Sequence, residues 1–101
     1  MEFKIVQDDD IVYVTIIGAV DNDNAEDLKL EFSGLLAMDF EEAVFDLTFV
    51  PFITSSGIGK FLIFYKNTVS ARRRMRVKGI NDNLLELFKS IKLDQLFQIE
   101  S

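Results

Sequence analysis

Three consecutive hydroxyl residues, Thr54-Ser55-Ser56, stand where a predicted buried strand ends and a predicted helix begins. A hydroxyl side chain at a helix start normally caps the helix by accepting a hydrogen bond from a backbone N–H group. A cap needs one hydroxyl, whereas three, followed by Gly57 and Gly59, form a small platform with free backbone N–H groups. Because these groups and the helix dipole favour an anion, the segment suits a phosphorylated hydroxyl. Simple capping is the alternative interpretation.

Other chemistries find little support in the residue types. The chain has no Cys and no His, which removes disulfides, nearly all zinc and copper sites and the commonest general base near neutral pH. The segment Gly57-Ile58-Gly59-Lys60 lacks the remaining glycines and the hydroxyl of a nucleotide-binding loop. Asp21 and Asp23 lack the other ligands of a calcium loop. We therefore expect no metal, no cofactor and no enzymatic activity.

Charge is distributed unevenly along the 101 residues, whose formal net charge is −6. Residues 1–50 contain 13 acidic and 2 basic residues, whereas residues 51–101 contain 4 acidic and 9 basic residues. This asymmetry suits a protein partner better than nucleic acid. The sequence begins without a signal-peptide pattern, and its apolar runs are too short to span a bilayer. We expect a cytoplasmic protein that does not bind membranes.

Strand-like and helix-like segments alternate along the chain. The predicted strands are 3–7 and 11–17, paired as a hairpin around Asp8-Asp9-Asp10, then 43–47, 74–79 and a short segment within 96–100. Three helices are predicted. The first starts with a capping box of Asp23 and Glu26 and ends near residues 38–39. The second spans residues 55–70, and the third is capped by Asn81 or Asp82.

This order predicts a single α/β domain over residues 1–101. Its sheet should be mixed and mostly parallel, with four to five strands and an antiparallel N-terminal hairpin. Right-handed crossovers should place the helices mainly on one face. The strand at 11–17 is apolar on both sides, which predicts cover on both or nearly so. Binding sites gather at the carboxyl ends of such strands, so the turn at residues 18–21 should lie near Thr54-Ser55-Ser56.

Aromatic residues near the hydroxyl segment are candidates for contacts with a partner. The predicted core stripe of the second helix consists of Ile58, Phe61, Leu62, Tyr65 and Val69. Phe64 then falls on a face with Lys60 and Asn67, either as a partly buried surface ring or as an interface anchor. Phe49 and Phe52 precede the hydroxyls, and either ring would face a partner if it is exposed.

A basic cluster, Arg72-Arg73-Arg74 with Arg76 and Lys78, lies on the fourth predicted strand. The simplest interpretation is a solvated strand edge, where charge discourages pairing with other strands. A docking surface for an acidic partner is the alternative. Nucleic acid fits poorly, because no aromatic residues alternate with the arginines.

The segments Asp46-Leu47-Thr48 and Thr54-Ser55-Ser56-Gly57-Ile58-Gly59 resemble the signature of the anti-sigma-factor antagonist family, whose fold is the STAS domain. Members carry an Asp-Leu-Ser type strand end and then Asp-Ser-Ser-Gly-Leu-Gly opening a helix. The resemblance extends over nearly the whole chain in element order and is sharp at residues 46–66. Residues 18–21 likewise resemble the family's Gly-Glu-Leu-Asp turn, with Ala19 in place of the acid.

The resemblance implies partner switching. In the family, the unmodified protein binds an anti-sigma factor, often a serine kinase, and frees a sigma factor. Phosphorylation of the first serine, here Ser55, breaks the complex, and a phosphatase restores it. Ser56 and Thr54 are alternative acceptors, and Thr54 departs from the family's Asp. ATP and magnesium would belong to the kinase. The implied state of assembly is a monomer or weak dimer.

The partner-binding residues expected on this basis lie in the turn, the loop and the second helix. They are Asp21, Thr54, Ser56, Gly57, Ile58, Lys60 and Phe64. Two alternatives remain: an unphosphorylated STAS scaffold in a signalling or transporter-associated assembly, and a small ligand-binding domain that uses the same loop. Asp21 also has a simpler interpretation, as a turn or cap carboxylate before the first helix.

Overall fold

Five strands and three helices form the chain in the order that the sequence predicts. The computed structural model describes residues 1–100. The strands are β1 (Glu2–Asp8), β2 (Ile11–Ile17), β3 (Glu42–Phe49), β4 (Arg74–Lys78) and β5 (Gln98–Ile99). The helices are α1 (Ala25–Leu36), α2 (Ser55–Ser70) and α3 (Asp82–Ser90), with a short 3₁₀ turn at Leu93–Gln95.

The strands form one sheet in the order β1-β2-β3-β4-β5. The β1–β2 hairpin is antiparallel, and every later pairing is parallel. Each helix joins a strand to its next neighbour in the same direction, so right-handed crossovers place all three helices on one face. The predicted fold class is confirmed: an α/β mixed sheet with an N-terminal antiparallel hairpin.

The core lies between this face of the sheet and the helices. Val12, Val14 and Ile16 of β2 are fully buried there. The opposite side chains of β2, from Ile11 to Ile17, are half-buried. Cover on both sides, or nearly so, was expected; the second face is half-buried, because all three helices pack against the other face.

Four phenylalanines form the centre of the core. Phe32 of α1, Phe45 of β3, and Phe61 and Phe64 of α2 pack with ring centroids 4.9–5.5 Å apart. Most of these contacts are edge-to-face, the arrangement that the ring quadrupole favours. This cluster joins the first two helices to the middle strand of the sheet.

Placing Phe64 on a polar surface is therefore wrong. The ring is 1 % exposed, and α2 buries Ile58, Phe61, Phe64 and Thr68. Leu62 and Val69, predicted for the core, are exposed instead. The buried stripe is rotated because Thr68 fits the core: its hydroxyl donates to the Tyr65 carbonyl at 2.7 Å, which satisfies the polar group.

The predicted cap is observed at the start of α3 but not at the start of α1. Asn81 caps α3 as predicted, its Oδ1 accepting from the Leu84 N–H at 2.9 Å. The capping box of Asp23 and Glu26 is wrong, because α1 begins after Asn24. Just before α1, the N–H groups of Asp23 and Asn24 donate to the carboxylate of Asp21 instead.

Three arginines of the basic cluster make contacts within the fold. Arg76 pairs with Glu42 at 3.4 Å and Glu100 at 3.5 Å, and Arg74 lies 3.7 Å from Glu42. The Arg73 guanidinium lies 4.3 Å from the centroid of the Phe40 ring. β4 is not an edge strand, because β5 pairs with it. These intramolecular contacts favour the structural interpretation over a docking surface.

Candidate functional site

The hydroxyl segment lies at the carboxyl end of β3, beyond the loop formed by residues 50–54. Thr54 occupies the N-cap position of α2, and Ser55 and Ser56 form the exposed first turn. Neither serine hydroxyl has a hydrogen-bond partner within residues 1–100. The two serines are thus open to a modifying enzyme, and their hydroxyls are not needed by the fold.

The turn after β2 packs directly against this loop, as predicted. The Val20 N–H donates to the Phe52 carbonyl at 3.0 Å, and the Thr54 N–H donates to the Val20 carbonyl at 2.9 Å. The Gly18 N–H donates to the Phe49 carbonyl at 2.9 Å. These bonds extend the parallel β2–β3 pairing beyond the strands, so that the two segments form one surface.

Asp21 lies in this surface, but its carboxylate serves α1. Its Oδ1 accepts from the Asp23 N–H at 2.9 Å and from the Asn24 N–H at 3.0 Å. Asn24 returns a bond, its Oδ1 accepting from the Asp21 N–H at 2.9 Å. The turn-carboxylate interpretation accounts for these contacts without a partner. A role in binding stays a prediction.

Thr54 differs from the two serines that follow it. Its Oγ1 is buried and is the one side-chain polar atom of this kind without a hydrogen-bond partner in the described part of the chain. The hydroxyl therefore does not cap α2, although Thr54 is the N-cap residue. A kinase would have to expose this oxygen before it could modify it, which makes Ser55 the better acceptor.

Asp46 and Thr48, the strand-end residues of the signature, form a compact unit. Asp46 Oδ1 accepts from both the N–H and the hydroxyl of Thr48, at 3.0 and 2.6 Å. This contact lies within β3, where the register with β2 shifts: Thr15 is opposite Asp46, and Ile17 is opposite Phe49. The first half of the signature thus has a structural role that positions the second half.

Gly57 permits the close approach of α2 to the turn. A Cβ atom built on Gly57 would lie 2.6 Å from Val20 Cγ1 and 2.7 Å from Ile53 Cγ2. Both neighbours are buried, so neither can move away freely. Packing thus accounts for the glycine at this position of the signature, and a role in partner binding stays a prediction.

Gly57→Ala should lower the free energy of unfolding by about 1–3 kcal/mol, because overpacking outweighs the helix propensity of alanine. Urea denaturation followed by circular dichroism measures this change. An alanine variant as stable as the wild-type chain would contradict the packing explanation.

The other predicted partner residues divide between core and surface. Ile58 is 7 % exposed and belongs to the core. The Lys60 ammonium lies 3.5 Å from a carboxylate oxygen of Glu26 in α1. Phe64, as shown above, is buried. Ser56 and Lys60 therefore keep an accessible side chain, whereas Gly57, Ile58 and Phe64 do not.

Exposed apolar residues flank the hydroxyl segment. Phe49 and Phe52, which the sequence identified as candidates, are 58 % and 50 % exposed. Ile63 of α2 is 57 % exposed. The sequence did not identify it as a candidate, because it belongs neither to the predicted core stripe nor to the hydroxyl segment. Residues four apart lie on the same side of a helix, so Ser55, Gly59 and Ile63 share one side of α2.

No group of three or more acidic residues in residues 1–100 is arranged to hold a metal ion. Within the same residues, no helix has the length and hydropathy needed to cross a bilayer.

Comparisons with known proteins identify the fold. A putative anti-sigma factor antagonist from Thermotoga maritima, tm1081, superposes with a TM-score of 0.87 at 22% identity, covering 99% of this chain and 85% of that one. The Bacillus cell fate determinant SpoIIAA in its phosphorylated form gives 0.76 at 15% identity, covering 99% and 92%. A sulfate transporter family protein from Wolinella succinogenes gives 0.78 at 13% identity, covering 94% and 80%.

At these identities the structures establish a shared fold and nothing finer. The family model described as STAS domain, however, matches residues 2–101, nearly the whole sequence. The chain therefore belongs to the STAS domain family.

Proposed function

We propose that this chain is an anti-sigma-factor antagonist that phosphorylation of Ser55 switches off. The unmodified chain binds an anti-sigma factor that is also a serine kinase, and the phosphorylated chain does not. One observation carries the proposal: Ser55 is exposed in the first turn of α2, and its hydroxyl is not used by the fold. The resemblance to structures of anti-sigma factor antagonists supports it.

The position of Ser55 suits a switch that leaves the fold intact. A phosphate adds about −1.5 to −2 charges. At the start of α2 this charge meets free N–H groups and the positive end of the helix dipole, which stabilise it. In the middle of a protein interface the same charge must lose its water or face a partner carboxylate. Phosphorylation can thus change binding strongly and stability little.

The surroundings of Ser55 offer a surface for such an interface. The exposed rings of Phe49 and Phe52 precede it in the chain, and the exposed Ile63 lies two turns further along α2. Aromatic residues in partly apolar surroundings are typical hot spots of protein interfaces. We propose that they contact the anti-sigma factor together with Ser56.

No cofactor of this chain is needed for the switch. ATP and magnesium would be bound by the partner kinase, and a phosphatase would restore the unmodified state. The chain itself supplies the acceptor hydroxyl and the binding surface and catalyses nothing. We propose that it works in the cytoplasm, as a monomer or weak dimer.

Affinity purification from the native host tests the proposal. Tagged Ser55→Ala and Ser55→Asp chains are used as paired baits, and captured proteins are identified by mass spectrometry. A serine kinase of the anti-sigma type should be enriched with Ser55→Ala and depleted with Ser55→Asp. Equal recovery of all partners with both baits would contradict the switch.

A STAS scaffold without phosphorylation is the second candidate. Thr54 replaces the acid that the family often carries at this position, which removes a negative charge next to Ser55. The likeness to a sulfate transporter family protein from Wolinella succinogenes also favours a module within a larger assembly. In this case the paired baits would capture the same partner equally well.

Gly59 offers a sharper test of where the partner binds. A Cβ atom built on Gly59, or on Gly34 of α1, meets nothing within 4 Å. Both positions are inside helices, so alanine should stabilise each by about 0.5–1 kcal/mol. Only Gly59 lies one turn from Ser55. Gly59→Ala should therefore weaken binding to the kinase, by about tenfold or 1.4 kcal/mol, whereas Gly34→Ala should not.

Titration calorimetry with the captured kinase measures this difference, and thermal unfolding checks that both variants are as stable as expected. Unchanged affinity of Gly59→Ala would mean that the partner does not cover this side of α2.

A further inference from the structure

A groove runs between α1 and α2, on the helical side of the molecule. Its cavity volume is about 230 Å³. The walls come from both helices and comprise Lys29, Phe32, Ser33 and Leu36 of α1, and Lys60, Ile63, Phe64 and Asn67 of α2. About 10–15 Å³ of such volume already holds one water molecule, so the groove has room for an alkyl chain of several carbon atoms.

The floor and walls of the groove are mainly apolar. Phe32 and Phe64 close it from below, with ring centroids 4.9 Å apart. Leu36 is half-buried, and Ile63 is 57 % exposed, so the groove is lined by apolar surface that water reaches. Removing such surface from water is favourable in proportion to its area. An alkyl chain laid in the groove would gain this energy.

The rim of the groove is cationic in a chain whose net charge is −6. Lys60 makes one ion pair, with Glu26 at 3.5 Å, and the Glu26 side chain is 73% exposed. The Lys60 side chain is 22% exposed. An ion pair with one largely exposed partner contributes little, so a ligand anion can displace Glu26 from Lys60 at small cost. Lys29 makes no ion pair within residues 1–100.

Two other cavities lack a cation of this kind. The one beside β4 and β5 contains three arginines, each of which already has a contact within the fold. Arg74 and Arg76 share Glu42, and Arg73 lies over the Phe40 ring and donates to the Leu36 carbonyl. The one beside the β1–β2 turn is lined mostly by carboxylates, with Arg74 alone opposing them. Of the three cavities, the groove between the helices is the one that combines an apolar lining with a lysine, Lys29, that makes no ion pair within residues 1–100.

We infer that this groove binds an amphiphilic carboxylate, a fatty acid of medium chain length. The carboxylate would lie at Lys29 and Lys60, and the alkyl chain would cover Leu36 and Ile63 above the two rings. The inference follows from apolar lining, size and charge complementarity. It does not depend on the proposed function of Ser55.

Octanoate is the probe. Adding it to the ¹⁵N-labelled chain should shift the amide signals of residues 28–36 and 60–67, and should leave those of α3 unchanged. Lys29→Gln should weaken octanoate binding at least threefold, while Lys89→Gln, the same change on α3, should not. Octanol, which has the chain without the charge, should bind more weakly than octanoate. Ser33→Phe, which fills the groove from an exposed position, should abolish the shifts.

Three results would overturn the inference. The first is the absence of shifts at millimolar octanoate, and the second is shifts spread over the whole chain. The third is equal binding of octanoate by the wild-type, Lys29→Gln and Ser33→Phe chains, with unfolding curves showing that each variant is folded.

Discussion

The Ser55→Asp variant is expected to bind the anti-sigma kinase about a hundredfold more weakly than the wild-type chain. The hydroxyl of Ser55 is exposed at the centre of the proposed interface, between Phe52 and Gly59 along the chain. A carboxylate at this position must be desolvated on binding or must face a like charge, which costs several kcal/mol. A loss of about 3 kcal/mol corresponds to this change in affinity. Isothermal titration calorimetry with purified kinase measures it.

Two controls separate binding from folding. The Ser55→Asp chain should be as stable as the wild type or slightly more stable, because an acid in the first turn of α2 interacts favourably with the helix dipole. Ser90→Asp adds the same charge at an exposed serine of α3 and should bind with wild-type affinity. Wild-type affinity of Ser55→Asp would contradict the switch, and an equal loss with Ser90→Asp would point to net charge instead.

Phe64→Ala is expected to lower the free energy of unfolding by about 3–5 kcal/mol. The ring is 1 % exposed and lies 4.9 Å from Phe32 and 5.2 Å from Phe45, measured between centroids. Truncation removes its buried area and leaves a cavity between α1, α2 and β3. Small domains are stable by about 5–15 kcal/mol in total, so the variant would be close to unfolding. Urea denaturation at equilibrium measures the change.

Phe52→Ala is the matched control, because it makes the same chemical change at a ring that is 50 % exposed. It should cost less than about 1 kcal/mol of stability. We expect it instead to weaken binding of the kinase. If Phe64→Ala were no less stable than Phe52→Ala, Phe64 would not belong to the core.

Much of the fold follows from hydrophobic periodicity. The run of β-forming residues predicted β2 with its observed bounds, Ile11–Ile17. The hydroxyl residues at the start of the second predicted helix marked the beginning of α2, which spans Ser55–Ser70. Sequential strands joined by helices then allowed few sheet topologies, so the neighbour order could be expected. The proximity of residues 18–21 to Thr54 followed from the same rule, since both come after the carboxyl ends of neighbouring parallel strands.

Side-chain burial on α2 could not be predicted in the same way. Apolar residues lie on several sides of this helix, and two overlapping stripes compete for the core. Leu62 and Val69 were predicted for the core because they are apolar, whereas the fold buries Phe64 and Thr68. The Thr68 hydroxyl is satisfied by its own helix, so its burial costs little. Sequence type alone does not show this compensation.

Within the site, the loop was predicted and its finer chemistry was not. Three hydroxyls in a row look equivalent in sequence, but Thr54 turns its oxygen inward while Ser55 and Ser56 stay exposed. Asp21 was placed near the loop correctly, yet its carboxylate is engaged with the start of α1. Both details depend on how the β2 turn and the loop pack together, which follows from tertiary contacts.

Mapping phosphate on the chain purified from its native host tests the central claim most directly. Peptides covering residues 46–66 are analysed by mass spectrometry across growth and stress conditions. The account predicts phosphate on Ser55, with an occupancy that changes between conditions. A loop that carries no phosphate under any condition, or phosphate on Thr54 alone, would contradict it.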